Sequence, residues 1–121
     1  MLVVTNNPLV KKTLEERELC AVDYQDITLE QVFIYVRDKI HLGHKLLTHP
    51  LSGSVKPNET HFKSVGISDK PGPGLDADSL LLIEQAIAAC KKFPIRYPVL
   101  SEKLRNDFQV VDLTLILSVF Y

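Results

Sequence analysis

Apolar and polar positions follow one another along this chain in helical and strand periods in turn, a pattern typical of an α/β domain. The clearest helix is predicted to begin at Thr28, which has capping-box spacing to Gln31, and to end at Gly43. Its apolar residues recur at steps of three and four, on one helical face: Leu29, Val32, Phe33, Val36 and Ile40. This segment therefore predicts an amphipathic helix that packs against a core.

Short apolar runs at residues 2–5, 19–24 and 62–68 predict strands, because turn-forming residues bound each of them. Further helices are predicted over residues 8–17, from Asp76 or Asp78 to about Phe93, and from Ser101 onwards. The end of the last helix, residues 113–121, is apolar on all sides. Periodicity does not exclude a strand there, but continuity with the preceding apolar stripe favours a helix covered by the core or by a second subunit.

Residues 45–48 are interpreted as one more short strand, because residues 43–60 would otherwise form a long connection without regular structure. Such a strand would deliver the segment that follows it to the carboxyl edge of the sheet, where open α/β sheets bind ligands. The sequence thus predicts a single domain over residues 1–121. We expect a small, mainly parallel sheet of about four strands flanked by about four helices, Rossmann-like and three-layered.

Composition narrows the classes of partner and compartment. A net charge of −1 and a pI near 6.4 give no basic surface for nucleic acid or an anionic membrane. The longest apolar run is too short to span a bilayer and no leader precedes the first strand, so we expect a cytoplasmic protein. Cys20 and Cys90 lack the paired spacing of metal or redox sites and are interpreted as small buried side chains.

Candidate chemistry concentrates in two places, the Asn6-Asn7 turn after the first strand and the segment of residues 43–60. Lysine charge, histidine and hydroxyl donors, and loop amides together suit a phosphate or carboxylate. The predicted ligand-binding residues are Asn6, Asn7, Thr48, His49, Ser52, Ser54 and Lys56. The alternatives remain open: the asparagines could serve only as cap and turn residues, and residues 43–60 could be an ordinary surface loop.

Cofactor and metal signatures are missing from the sequence. Neither the glycine fingerprint of dinucleotide binding nor the glycine-lysine phosphate loop is present, so no cofactor is predicted. His44, His49 and His61 could form a metal site only if His44 and His49 faced the same way, whereas a strand would point them to opposite faces. We therefore expect no metal. His49 is the best candidate for a general acid or base.

Two stretches carry a family resemblance: VTNNPLV at residues 4–10, and GHKLLTHPLSGSVKPNET at residues 43–60 continuing to Lys63 and Ser64. They resemble the GrdX family, small proteins encoded beside the selenium-dependent glycine, sarcosine and betaine reductase components of amino-acid-fermenting anaerobes. The resemblance implies an accessory role near a complex that yields acetyl phosphate, with reductase components as partners. It supplies no reaction and no catalytic residues.

Three hypotheses follow. The leading one is an accessory protein of reductive amino-acid fermentation that binds a small anion at the carboxyl edge of the sheet. The second is a small enzyme acting on a carboxylate or acyl phosphate, with His49 as general acid or base. The third is a protein-interaction module, or a homodimer, that assembles through its apolar carboxyl-terminal helix.

Overall fold

The fold was analysed in a computed structural model that describes residues 1–51, 59–93, 95–96 and 98–121. Helices and strands alternate in the first half of the chain, and two long helices close the second half. In chain order the elements are β1 (Leu2–Thr5), α1 (Pro8–Glu16), β2 (Ala21–Tyr24), α2 (Leu29–His41), β3 (Ser64–Ile67), α3 (Ala77–Lys92) and α4 (Glu102–Leu117). None of the helices in these ranges is both long and apolar enough to cross a membrane.

Within the described residues the sheet has three strands in the order β2-β1-β3. β1 and β2 are parallel, with Val3 opposite Val22, whereas β1 and β3 are antiparallel, with Val3 opposite Gly66. The domain is thus α/β, as predicted. The expectation of about four mainly parallel, Rossmann-like strands was wrong, because the described sheet is smaller and one of its two pairings is antiparallel.

The predicted strand at residues 45–48 is reduced to one isolated bridge between Leu46 and Ile67, on the side of β3 away from β1. The backbone amides here are not paired as in a regular β-ladder. The Leu46 amide donates to a side chain, Ser79 Oγ, at 3.0 Å. The amides of Leu47 and Thr48 both donate to the same carbonyl, that of Gly66. Residues 45–48 therefore lie along β3 without forming a regular strand. The strand β3 itself lies between these residues and β1.

Each face of the sheet packs against helices, because successive strand residues point to opposite sides. Val4 faces α2 and α3 and belongs to a cluster with Phe33 and Ile40. Val3 faces the other way, toward α1 and α4, in a cluster with Leu14 and Ile116. The ends of β1 consequently emerge between two helical layers.

The predicted helix starts are confirmed by their hydrogen bonds. The Gln31 amide donates to Thr28 Oγ1 and the Thr28 amide donates to Gln31 Oε1, which completes the capping box. Asp76, rather than Asp78, caps α3. Residues 102–117 are helical, so the interpretation of the apolar carboxyl-terminal segment as a helix is confirmed for residues 113–117, and the helix ends before Ser118.

The apolar end of α4 is covered only in part. Leu113, Leu117 and Phe120 pack against the cluster that contains Val3 and Leu14. On the opposite side, Val119 is 49% exposed and Tyr121 is 77% exposed. One face of this segment thus belongs to the core, and the other faces solvent.

Candidate functional site

Asn6, directly after β1, holds three backbone segments together. Its Nδ2 donates to the carbonyl oxygens of Ile27 at 3.0 Å and His61 at 2.8 Å, while its Oδ1 accepts from the Lys63 amide at 2.9 Å. The side chain is only 5% exposed. Both Nδ2 protons and one Oδ1 lone pair are therefore used within the chain.

Asn7 is completely buried and joins α1 to α4. Its Oδ1 caps α1 by accepting from the Leu9 amide at 3.0 Å. Its Nδ2 donates to the Gln109 carbonyl at 3.0 Å and to Asp112 Oδ2 at 3.1 Å. The Oδ1 of Asn7 therefore caps a helix, as the cap-residue interpretation predicts. Its Nδ2 in addition connects the start of α1 to α4.

Asp112 collects a set of buried donors at the start of β3. The Ser64 amide donates to its Oδ1 at 3.1 Å, and Ser64 Oγ donates to its Oδ2 at 2.7 Å. The Ser64 hydroxyl also contacts Thr5 Oγ1 at 2.8 Å. Burial raises the pKa of Asp112, and the hydrogen bonds from Asn7 and Ser64 and the charge of Lys63 oppose that shift.

Lys63 is 9% exposed and, like Asp112, lines two openings. One is a narrow cavity of about 20 Å³ between α2 and α4, which is enough for about one water molecule. The other is a larger cleft of about 220 Å³. Burial lowers the pKa of Lys63 because it disfavours the ammonium form, and the negative charge of Asp112 works in the opposite direction.

The larger opening, called the Lys63 cleft below, lies between residues 47–49, the start of β3 and the end of α4. Its lining residues are Leu47, Thr48, His49, Lys63, Ser64, Asp112, Leu115, Ile116, Ser118 and Val119. Thr48 Oγ1 accepts from the Gly66 amide at 2.9 Å, so the hydroxyl can donate its own proton elsewhere. His49 Nδ1 accepts from the Leu51 amide at 3.0 Å, which places the proton of a neutral ring on Nε2.

The structure divides the ligand-binding residues predicted from sequence into three groups. Asn6 and Asn7 lie in the buried network at the end of β1, whereas Thr48 and His49 line the Lys63 cleft across β3. Ser52, Ser54 and Lys56 lie outside the described residues. The strand β3 lies between the first group and the second, because β1 pairs with one edge of β3 and Leu46 pairs with the other edge.

The residues at the centre of this region, Lys63, Ser64 and Asp112, were not predicted as site residues. A signal for Asp112 exists in the sequence. It stands four residues after Phe108 and four before Ile116, so it interrupts an apolar helical stripe with a carboxylate. Lys63 and Ser64 gave no comparable signal, since a lysine before a strand is ordinarily exposed.

A third opening, of about 470 Å³, lies between the first turn of α2 and Phe62. Asp26 and Arg105 both line it, so its charges are mixed. The guanidinium of Arg105 stacks 5.2 Å from the centre of the Phe62 ring. This opening therefore carries charges of both signs, as the Lys63 cleft does with Lys63 and Asp112, and the predicted site residue Asn6 also lines it.

Histidine placement bears on the metal alternative. His44 is 7% exposed and its Nδ1 lies 2.8 Å from the Ser68 carbonyl oxygen. Across the described residues, no three His, Cys, Asp or Glu side chains come together in a way that could hold a metal ion. His44 instead fastens the turn after α2 to the end of β3.

Replacing Asn6 tests whether its hydrogen bonds stabilise the fold. We expect Asn6→Ala to lower the free energy of unfolding by about 1–3 kcal/mol, because the Lys63 amide and two carbonyls lose their partner. Urea denaturation followed by circular dichroism measures the change. Asn106→Ala, at an exposed position of α4, is the matched control and should change stability by less than about 0.5 kcal/mol. Equal losses in both variants would refute a structural role for Asn6.

Comparison with family models places the chain among known proteins. A family model described as GrdX-like protein matches residues 2–121. The match includes β1, the Lys63 cleft and α4, and so extends over essentially the whole chain. Comparisons with curated proteins and with solved structures gave no significant match.

Proposed function

The chain belongs to the GrdX-like protein family, and from this premise we propose that it is an accessory protein that binds a small phosphate or carboxylate anion in the Lys63 cleft. Membership confirms the resemblance carried by residues 4–10 and 43–64, and it suggests an association with glycine reductase-related systems. The binding role is the more specific claim. It rests on the residues of the cleft.

The observation that supports an anion is the burial of Lys63 beside the cleft. An ammonium group removed from water loses solvation energy, which Asp112 offsets in part. An anion in the cleft would add favourable charge interaction in a region of low dielectric. Thr48 Oγ1 and His49 Nε2 supply directional donors at the rim, which is how proteins fix the orientation of a carboxylate or phosphate.

The hydrogen bond at His49 bears on the enzyme alternative. His49 Nδ1 already accepts from the Leu51 amide, so the nitrogen available to a ligand is the proton-bearing Nε2. That arrangement favours donation to an anion over abstraction of a proton. A turnover signal that His49→Gln removes would instead support the enzyme.

The interaction-module alternative depends on the end of α4. Leu113, Leu117 and Phe120 pack against the core cluster. The exposed large apolar side chains of α4 and its end are Val110, Val111, Val119 and Tyr121. Four side chains are few compared with the about 20–30 residues that each partner contributes to a stable interface. The cleft therefore has the stronger support.

Ligand binding is expected to appear as a thermal shift. Phosphate, acetate, acetyl phosphate and glycine should be screened, and at least one should raise the melting temperature in a concentration-dependent way, because a ligand that binds only the folded state stabilises it. His49→Ala and Lys63→Met should each reduce that shift by at least half. The matched controls are His41→Ala and Lys103→Met, at exposed positions of α2 and α4, which should keep it.

Two results would refute the proposal. One is an equal shift in Lys63→Met and Lys103→Met, since binding would then not depend on the cleft. The other is the absence of a thermal shift in the wild-type protein with each of the four compounds. For a ligand with a millimolar Kd, a concentration of about 100 times Kd stabilises the folded state by about 2.7 kcal/mol, so binding would be detected. A pull-down with reductase components, read beside the screen, tests the association itself.

A further inference from the structure

The third opening lies at the carboxyl ends of the two parallel strands. Asn6 follows β1 directly, Asp26 follows β2 by two residues, and both line the opening. Strands β1 and β2 form the parallel pair of the sheet, and open α/β sheets bind ligands beyond the carboxyl ends of such strands. The volume of the opening, about 470 Å³, lies within the range of about 300–1,000 Å³ that is typical of small-molecule pockets. Position and size therefore suit a small ligand.

Two opposite charges line this opening without neutralising each other. Asp26 and Arg105 are both exposed. Among the residues that the structure describes, neither side chain forms an ion pair or a hydrogen bond. The Lys63 cleft differs, because its Asp112 is buried and accepts hydrogen bonds from Ser64 and Asn7. A ligand in the third opening consequently meets one negative and one positive group that are both available to it.

Arg105 is positioned to bind a carboxylate. Its guanidinium stacks 5.2 Å from the centre of the Phe62 ring, and Phe62 is only 4% exposed, so the ring is a fixed support. Stacking orients the guanidinium plane and leaves its N–H groups at the edge, where a planar carboxylate can accept two hydrogen bonds. The positive side of the opening is therefore suited to a carboxylate.

Asp26 and Asn6 are the matching acceptors for an ammonium group. The Asp26 carboxylate supplies the opposite charge. Asn6 Oδ1 accepts from the Lys63 backbone amide, and the second lone pair of this oxygen remains for a ligand. An ammonium group carries three N–H donors and needs several acceptors, which a carboxylate and an amide oxygen at one opening can supply together.

Apolar side chains make up much of the remaining wall. They are Ile27, Leu29, Phe62, Ile95 and Pro98. Ile95 is 48% exposed, so part of this wall is in contact with water. An aliphatic group that covers it would remove apolar surface from water, which favours binding. The opening thus combines two opposite charges with an apolar wall.

We propose that the third opening binds a free α-amino acid with an aliphatic side chain. The carboxylate of the ligand binds Arg105, its ammonium group binds Asp26 and Asn6 Oδ1, and its side chain covers the apolar wall. This site shares no lining residue with the Lys63 cleft, so the inference goes beyond the proposed function and does not depend on it.

Isothermal titration calorimetry of the wild-type protein with leucine tests the proposal. Leucinamide lacks the carboxylate, N-acetylleucine lacks the ammonium group, and glycine lacks the side chain. We expect leucine to bind with a Kd at least about tenfold lower than each of these, because a hydrogen bond to a charged group contributes about that factor or more. Leucinamide and N-acetylleucine also resemble the two ends of a peptide, so the comparison separates a free amino acid from a peptide terminus.

Variants locate the site. Arg105→Met and Asp26→Asn should each raise the Kd for leucine at least about tenfold. The matched controls, Lys103→Met and Asp107→Asn, change exposed charges elsewhere on α4 and should leave the Kd unchanged. His49→Ala, in the Lys63 cleft, should also leave it unchanged, whatever its effect on anion binding.

Each contrary result overturns a defined part of the proposal. Absence of leucine binding in the millimolar range overturns the site itself, even if anions still stabilise the protein. Equal affinity for leucine and either blocked derivative overturns the pairing with two charges, and equal affinity for glycine overturns the role of the apolar wall. Loss of leucine binding in His49→Ala would move the ligand to the Lys63 cleft. The comparison of ligands on the wild-type protein remains decisive if a variant does not fold.

Discussion

Asp112→Ala is expected to lower the free energy of unfolding by about 3–5 kcal/mol, the range found when one member of a buried charged network is removed. The carboxylate accepts from the Ser64 amide, the Ser64 hydroxyl and Asn7 Nδ2, and it lies near Lys63. After truncation these donors stay buried without their acceptor, and Lys63 loses a compensating negative charge. The loss therefore exceeds the value of any single hydrogen bond.

Urea denaturation gives the free energy of unfolding. Its dependence on urea concentration, the m value, shows whether the surface exposed on unfolding is unchanged. Asp107→Ala is the matched control, because Asp107 is an exposed carboxylate on the same helix. We expect a change below about 0.5 kcal/mol there. The loss of stability in Asp112→Asn should lie between the losses in Asp112→Ala and Asp107→Ala, because the Oδ1 of the new side chain can still accept from the Ser64 amide. A loss at Asp112 as small as that at Asp107 would contradict the network.

The network fills one side of the carboxyl end of β1, at Asn7, whereas Asn6 lines the third opening. In a doubly wound sheet the connections that follow two neighbouring strands run to opposite faces of the sheet, and the crevice between those strands is open to ligands. In this protein β3 runs antiparallel to β1, so its start, at Lys63 and Ser64, meets the end of β1. Polar groups of Asn7, Ser64 and Asp112 occupy the space beside this strand end, and the Lys63 cleft lies on the outer side of β3.

Local sequence signals predicted the elements that depend on local interactions. The capping box of Thr28 and Gln31 and the apolar face of α2 involve residues within a few positions of each other. The antiparallel pairing of β3 depends on a sheet partner more than 50 positions away. No periodicity encodes that direction, so a parallel sheet was the wrong expectation.

The candidate site shows the same contrast between residues that local sequence signals predict and residues that long-range packing brings together. Thr48 and His49 were predicted because turn residues and a strand-like run mark them in the sequence, and they do line a cleft. Whether they bind a ligand stays a prediction. Lys63 and Asp112 are separated by 49 positions, and they become neighbours only through the packing of α4 on β3. Their pairing has no local signal, although a lone carboxylate in the apolar stripe of α4 indicates a buried partner.

The turn that leads into the cleft supplies the second large expected effect. Gly43 has φ +108° and ends α2, and a Cβ at this position would lie 2.4 Å from the Gly72 carbonyl oxygen. The Gly72 amide also donates to the Gly43 carbonyl at 2.8 Å. A side chain at Gly43 would thus meet both backbone strain and rigid backbone atoms, just before the segment that carries Thr48 and His49.

We expect Gly43→Ala to lower the free energy of unfolding by about 2–6 kcal/mol, from about 1–3 kcal/mol of backbone strain and about 1–3 kcal/mol of overpacking. Gly74→Ala is the matched control, because a Cβ there meets nothing within 4 Å, and its effect should stay within about 1 kcal/mol. Urea denaturation measures both. Because residues 45–48 follow the turn directly, Gly43→Ala should also weaken any anion-induced thermal shift, which Gly74→Ala should preserve. Equal stability of the two variants would show that the close approach of Gly43 to Gly72 does not hold in solution.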